Sequence, residues 1–370
     1  MLKYLLILLL IIHGIIHVMG FTKAFNLGKQ NLITDNISKP AGFFWIITML
    51  IFIAAAIMYF IKAPYWAEVA IAAVIISQLL IILSWKDAKA GTILNIIIFI
   101  VALISFAADR FHQQVNKEVT AMFSKPFIEN NRDPLNSVKR LPPIVNKWIS
   151  KSIDINAAPV KFVRLRQKGT MRTKPDGSWM PFTANQYFRT DEPAFIWETT
   201  VQMFPLITLA GRDRLNNGEG QMLIKLLSLF KIADAKNSEM INESTLMRFL
   251  AEICWFPDAA IYSDIYWREI DPLTAEATIR CRNITATGNF NFNEKGDLLG
   301  FSGYRYKENG KTATKEKWVV ETSDFKKING FLIPTKCKVT WSLKEGDFHW
   351  LTLEITDLEY NKPELYKESF

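Results

Sequence analysis

The sequence predicts a membrane α-helical bundle of four transmembrane helices followed by an α+β soluble domain, a curved antiparallel sheet or open β-barrel with one or two helices. Three observations carry this expectation. Apolar stretches close to the ~20 residues that cross a bilayer recur four times before residue 108. Charge is partitioned: residues 1–108 hold seven Lys, no Arg and three acids (Asp35, Glu68, Asp87), while the remaining residues hold 37 basic and 33 acidic side chains. From Pro159 onward apolar and polar residues alternate, and turn signals separate the runs. The domains read as 1–108, four transmembrane helices; 109–134, a helical linker; and 135–370, a β-rich soluble domain.

The first apolar segment runs from Tyr4 to about Phe21, the second from Phe43 to Ile61, the third from Trp66 to Trp85 and the fourth from Thr92 to Ala108. Helix breakers mark the joints: Gly28 and Pro40, Pro64, then Gly91. Tyr59, Tyr65, Trp66 and Trp85 stand at segment ends, where amphipathic rings prefer the headgroup level. The first segment reads as a retained helix, because Phe21-Thr22-Lys23-Ala24-Phe25 makes a poor signal cleavage site and His13 and His17 interrupt the apolar run. Lys23, Lys29, Lys39, Lys86 and Lys89 fall on one side of such a bundle, against Lys3, Lys62 and Arg110 on the other. By the positive-inside rule this leans towards a multi-pass protein of the cell membrane with an extracytoplasmic soluble domain.

Polar groups within the spans need partners. His13 and His17 lie four apart on one helix face. They are read as interhelical hydrogen-bonding groups or, in the competing reading, as two ligands awaiting others; Asn95 joins them, as do Ser77 and Gln78. The motifs His13-Gly14-Ile15-Ile16-His17, Gly20-Phe21-Thr22-Lys23-Ala24-Phe25, Ser77-Gln78-Leu79-Leu80 and Trp85-Lys86-Asp87-Ala88-Lys89-Ala90-Gly91-Thr92 with Asn95 resemble the DoxX-like four-helix membrane family. Some members of that family accompany quinone-linked oxidoreductases, so the resemblance implies a quinone as the alternative cofactor; the residues themselves predict none.

Residues 110–150 read as helical, with a short amphipathic helix started by Leu141-Pro142-Pro143. Strands follow at Trp179 to Phe188 and Ala194 to Phe204. A helix is expected over Gln221 to Ile232, and another from Ser244 as N-cap through Leu246, Phe249, Leu250 and Ile253 to Pro257. Strands return at 275–282, 285–293, 298–307, 315–321, 332–342 and 348–358, separated by Glu294-Lys295-Gly296-Asp297, Glu308-Asn309-Gly310 and Glu345-Gly346-Asp347. Five clusters resemble an uncharacterised bacterial β-rich domain family over about 135–362: Leu141-Pro142-Pro143; Gly177-Ser178-Trp179-Met180-Pro181-Phe182; Pro193-Ala194-Phe195-Ile196-Trp197; Gly211-Arg212-Asp213-Arg214-Leu215 with Gly218-Glu219-Gly220-Gln221-Met222; and Arg248 through Pro257. The strand order and Gly330-Phe331-Leu332-Ile333-Pro334 are loosely similar to LolA-type lipoprotein carriers, which implies an open barrel holding acyl chains.

Several chemistries are excluded. No basic run marks a nucleic-acid surface. Cys254, Cys281 and Cys337 form no CxxC pair, so thiolate zinc and a disulfide framework are ruled out; three buried hydrophobes, or one Cys281–Cys337 bond, remain. No GxSxG, HExxH or metal-spaced cluster occurs, and no catalytic residue or metal is assigned. The enzyme question thus leans to no. What remains is a density of aromatics that can line an apolar cavity or fill a plain core. The candidate ligand-binding residues are Trp179, Phe182, Phe195, Trp197, Trp255 and Trp267, with Arg212, Asp213 and Glu252 either as polar groups at the mouth or, in the competing reading, as a buried Arg–acid pair that holds the fold together. The expected function is non-enzymatic binding of a membrane lipid or other apolar small molecule. The alternatives are a quinone-linked redox subunit, with His13, His17 and Asn95 near the cofactor, and an interaction module for another membrane protein.

Overall fold

The computed structural model describes residues 2–27, 33–128, 134–154, 158–262, 264–307 and 313–367. By internal packing the chain forms two units, Met1–Arg110 and Phe111–Phe370.

The first unit contains helices α1 (Leu2–Ile16), α2 (Val18–Ala24), α3 (Lys39–Phe60), α4 (Trp66–Leu83), α5 (Trp85–Ala88) and the start of α6 (Gly91–Phe123). Four helical stretches, Leu2–Ala24, Lys39–Phe60, Trp66–Leu83 and Gly91–Phe123, are long and apolar enough to cross a membrane. Their buried sides are rich in small residues, among them Ala55, Ala56, Ala67, Ala70 and Ala73, which let helix backbones approach closely. Gly20 shows how close: a Cβ there would lie 2.1 Å from the Trp45 ring. Leu5, Leu8, Phe43, Leu50, Ile75 and Ile96 point outward, the apolar exterior that a hydrocarbon solvent requires. Ser38 starts α3, its hydroxyl accepting from the Ala41 amide with Pro40 in the first turn.

The second unit is built on one 13-stranded antiparallel sheet. It holds the end of α6, then α7 (Pro134–Lys139), α8 (Pro143–Ser152), β1 (Phe162–Met171), β2 (Met180–Arg189), β3 (Ala194–Phe204), β4 (Ile207–Asn216), β5 (Glu219–Leu226) and β6 (Phe230–Lys236). After these come α9 (Glu239–Glu252), a 3-10 turn (Ile253–Trp255), α10 (Ala259–Tyr262), β7 (Ile265–Asp271), β8 (Thr274–Cys281), β9 (Ile284–Phe292), β10 (Leu298–Tyr306), β11 (Lys315–Ile328), β12 (Phe331–Leu343) and β13 (Gly346–Tyr360). The spatial order is β6-β5-β4-β3-β2-β1-β13-β12-β11-β10-β9-β8-β7. Every neighbour is a hairpin partner except β1 and β13. The two edges, β6 and β7, are joined through α9 and α10.

Helix α9 touches β4, β5 and β6 on one side and β8, β9 and β10 on the other. A flat sheet cannot bring strands from both ends of its order to one helix, so the sheet is curled around α9. The inner faces of the strands and the buried side of α9, from Leu246 to Phe256, form one continuous core. The amphipathic α8 adds Ile144, Val145, Trp148 and Ile149 to it.

Two expectations are corrected here. Gln221 to Ile232 is not a helix but most of the β5–β6 hairpin, which turns at Leu227 and Ser228, both with positive φ. Its long apolar run suits a helix and a strand pair equally, and tertiary pairing with β4 decides. Helix α9 begins at Glu239, capped by Ser238 accepting from the Ile241 amide, while Ser244 is a buried residue within it.

Candidate functional site

The side chains inside the curl follow from strand alternation. In β3, Phe195, Trp197 and Val201 face the interior core, while Ile196 faces a second cluster on the outer surface. Register pairs Trp197 with Asp213 and Glu198 with Arg212. Adjacent in sequence, Asp213 points inward and Arg212 outward.

The interior carries a charged network on α9. Arg248 donates from one terminal nitrogen to Asp213 at 2.7 Å and from Nε to Glu252 at 2.8 Å. Its guanidinium lies 4.7 Å from the Trp197 ring centre and 5.1 Å from that of Phe195. Gln186 Nε2 donates to the other Glu252 oxygen at 2.8 Å, and Gln167 Nε2 donates to Gln186 at 3.2 Å. Trp197 Nε1 donates to Gln167 Oε1 at 2.8 Å. The chain of bonds thus runs through β1, β2, β3, β4 and α9. Burial opposes the charge of Arg248, but Glu252 and Asp213 more than offset it and raise its pKa. Burial pushes the Glu252 carboxyl up, although Arg248 and Gln186 hold the anion. Arg305 of β10 sits beside this network over the Trp318 ring, 5.0 Å from its centre, and its Nε has no hydrogen-bond partner among the described residues. Burial and the neighbouring Arg248 push its pKa down to about 10.

Of the residues singled out in the sequence, Phe182, Phe195, Trp197, Asp213 and Glu252 come together here, Phe182 packing edge-on to Trp197 at 6.2 Å. Trp255 is buried on the far side of Phe188, and its carbonyl accepts from the Tyr360 hydroxyl at 2.6 Å. Trp267 is half-buried and packs on another part of the same core, 5.0 Å from Phe290 and 6.4 Å from Trp148. Trp179 is 40% exposed and lies against Arg172 and His349 outside the interior core. Arg212 is not at the mouth of the interior. It is buried on the outer face, bonded at 2.6 Å to Glu118 of α6, where Arg214 also approaches at 3.7 Å and His112 meets Glu198 at 3.0 Å. Burial lowers its pKa, with Glu118 opposing.

The network contains residues the sequence did not single out: Gln167, Gln186, Arg248 and Arg305. The one signal available was the four-residue spacing of Arg248 and Glu252 on a helix.

Nearer the β3–β4 hairpin the inner wall is apolar. Met171, Met180 and Leu209 are half-buried and pack on the interior core with Phe182 and Val201. Two solvent-open cavities lie elsewhere. One of about 610 Å³ is lined by groups such as Glu243, Thr287, Asn289, Tyr304 and Lys317; the other, of about 390 Å³, lies by Asn329, Phe331 and Asn361. Cys254, Cys281 and Cys337 are free and buried, and burial pushes the Cys337 thiol up to about 12.

In the helical unit His13 Nε2 meets Asn95 Oδ1 at 2.8 Å, His17 Nε2 meets Ser77 Oγ at 2.9 Å, and His17 Nδ1 donates to the His13 carbonyl at 2.8 Å. Asn95 Nδ2 donates to Gln78, which donates to Thr92. A carbonyl only accepts, so His17 carries its proton on Nδ1 and receives the Ser77 hydroxyl at Nε2. His13 Nδ1 is buried without a partner among the described residues. No group of three His, Cys, Asp or Glu that could hold a metal stands among the described residues.

A curled antiparallel sheet around one helix, following four helices able to cross a membrane, is the class defined by this architecture. Residues 139–360 match the family of unknown function DUF6920, and the chain belongs to that family. The match leaves out residues 1–108, whose likeness to DoxX rests on the motifs given above. Among solved structures, the crystal structure of a LolA superfamily protein from Nitrosomonas europaea is similar at 13% identity and a TM-score of 0.34, covering 59% of this chain and 92% of that one. No curated protein matches the sequence.

Proposed function

We propose that the sheet domain is a non-enzymatic, membrane-tethered binding module for a lipid or another apolar molecule with a polar head. One arrangement carries this reading: the half-buried apolar wall of Met171, Met180 and Leu209 leads to the charged network of Arg248, Asp213 and Glu252, with the Arg305 guanidinium beside it. Binding sites for apolar molecules combine such a wall with a few convergent polar groups that fix orientation. The rings of Phe182, Phe195 and Trp197 are closely packed, so uptake requires them to part, and an anionic head is the group that Arg305 favours.

The test is native mass spectrometry of the full chain released from detergent, with solvent extraction of whatever accompanies it. A lipid retained at fixed stoichiometry by the wild type and lost from Leu209→Asp, with the circular dichroism spectrum kept, supports the reading. A folded protein that carries no lipid and binds no added fatty acid overturns it.

A quinone-linked role for the helical unit is a second reading, favoured by the buried, unpartnered His13 Nδ1. Purified full-length protein with no extractable quinone, and no quinone binding upon addition, would remove it.

A further inference from the structure

One group of outward apolar residues of the second unit lies at neighbouring hairpin tips. The β3–β4 turn exposes Phe204 (61%) and Leu206 (68%), with Ile207 beside them, and the β5–β6 hairpin exposes Phe230 (63%) and Ile232 (58%). The two tips are joined: Leu227 N donates to Thr208 O at 2.8 Å. The register of β2 on β3, Phe182 opposite Val201, places the start of β2 and the exposed Trp179 at the same end of the sheet. Leu206 and Leu227 have φ of 69° and 52°, where Gly or Asn fits best and turns ordinarily carry them. An exposed leucine in that conformation contributes little to the fold, which points to something outside it that the side chain meets. The charged side chains around the tips are mainly basic: Arg172, Lys174, Lys225 and Lys231, against Asp176 and Asp234, which pairs with Lys231 at 3.2 Å.

The chain arrives at this same end. Phe111, the first residue of the unit, lies under Lys225, whose ammonium is 5.6 Å from the ring centre. Further along α6, Glu118 bonds Arg212, and beyond the helix Lys125 reaches Asn216 at the opposite end of β4. Phe111 follows Ala108, the end of the apolar run, by three residues, which reach no more than about 11 Å even fully extended. The tips therefore lie at the end of the unit where the chain leaves a membrane-spanning stretch.

We infer that the tips of β3–β4 and β5–β6, with Trp179 beside them, form a bilayer-contacting rim. Phe204, Leu206 and Phe230 enter the headgroup boundary, and Lys225 and Lys231 meet anionic headgroups. This inference uses the membrane anchor but is independent of any ligand in the interior.

The test uses the full chain in nanodiscs of phosphatidylcholine with phosphatidylglycerol. Leu206→Cys carries an environment-sensitive label, and Lys295→Cys, on the exposed β9–β10 turn, is the control. The native cysteines are buried. The expected result is a blue-shifted label at position 206 that lipids spin-labelled near the headgroup quench, with an unquenched label at 295. Raising salt or omitting phosphatidylglycerol should weaken the quenching. An unquenched label at 206, equal quenching at both positions, or a blue shift that appears only at high protein concentration and is insensitive to the spin label would overturn the inference, the last by assigning the rim to a second copy. Phe204→Asp combined with Phe230→Asp should abolish quenching at 206 with the circular dichroism spectrum unchanged; unaltered quenching in that variant would also refute it.

Discussion

Replacing Arg248 by Met keeps most of the stem volume and removes the one group that binds both Asp213 and Glu252 inside the sheet. Two carboxylates then remain in a desolvated place, with Gln186 donating to one of them. Breaking a buried pair by deleting one partner costs about 3–5 kcal/mol, a large share of the ~5–15 kcal/mol that holds a domain together. Loss of the contact with the Trp197 face adds up to about 2 kcal/mol. Hydrogen exchange of the full chain reads this locally. At 1.36 kcal/mol per decade, 3–5 kcal/mol speeds exchange in α9 by roughly a hundredfold to a few thousandfold at pH 8. The pH dependence fixes the cause. Without Arg248 the carboxyl pKa values in the folded state rise above their unfolded values. Their stability contribution is then greatest below the unfolded pKa and is lost as pH rises through the folded one. The variant should therefore recover stability as pH falls from 8 towards 4. Replacing all three residues by apolar ones, Asp213→Leu with Arg248→Met and Glu252→Met, should return exchange to near the wild-type rate. A single Arg248→Met variant that exchanges as slowly as wild type at pH 8, or that loses stability equally at all pH values, refutes the network.

Asp258 is buried, with Val160 N donating to Oδ2 at 2.6 Å and Oδ1 unpartnered among the described residues, and burial pushes its pKa up to about 7. A raised carboxyl destabilises the fold as pH rises from about 4 to 7, so Asp258→Asn should raise the melting temperature at pH 8 and leave it unchanged at pH 4. Gly288→Ala would set a Cβ 2.1 Å from Phe301 Cζ, a ring held between Phe290 and Trp318, and should cost about 1–3 kcal/mol in denaturant titration. Gly303→Ala comes nearest the end of the flexible Met247 side chain, its sulfur at 2.9 Å, with the Thr287 carbonyl at 3.4 Å, and should cost less. Ser77→Ala removes the hydroxyl that His17 Nε2 meets and should cost about 0.6 kcal/mol of bundle stability in detergent, near the mean for an interhelical bond.

The four helices long and apolar enough to cross a membrane were legible because a long, uninterrupted apolar run is itself the signal. The later strands were legible because Gly296, Gly330 and Gly346 mark their turns and all adopt positive φ. Strand β4 was not: Gly211-Arg212-Asp213-Arg214 carries three charges in a row and hides the alternation of a strand, though each charge has a partner on one face or the other. Missing β4 meant missing that Arg212 and Asp213 diverge: Arg212 forms a buried ion pair, as one of its two readings expects, but with Glu118 on the outer face and not at the mouth of the interior. Arg248 escaped notice for a related reason. An Arg–Glu pair at four-residue spacing is usually a solvated helix face, and only the curl of the sheet around α9 makes it interior. The crowding of aromatics suited a cavity lining and a plain core alike, and no periodicity could show that Trp179 is exposed while Trp267 packs against Phe290 and Trp148, away from Trp197.

The pairing of β1 with β13 has a consequence for how the protein is made. Lys161 N donates to Asn361 Oδ1, 200 positions further along the chain. A ribosome delivers β1 to β6 in hairpin order, and each can pair as it emerges. The free side of β1 cannot be satisfied until Gly346–Tyr360 has been synthesised. Throughout that interval β1 presents an unpaired strand edge, the kind of surface that recruits other nascent chains. Closure across so long a separation is also entropically slow. Premature termination shortly before β13 would leave two half-sheets with no seam between them, so the last fifteen residues of the sheet decide whether the earlier strands become one body.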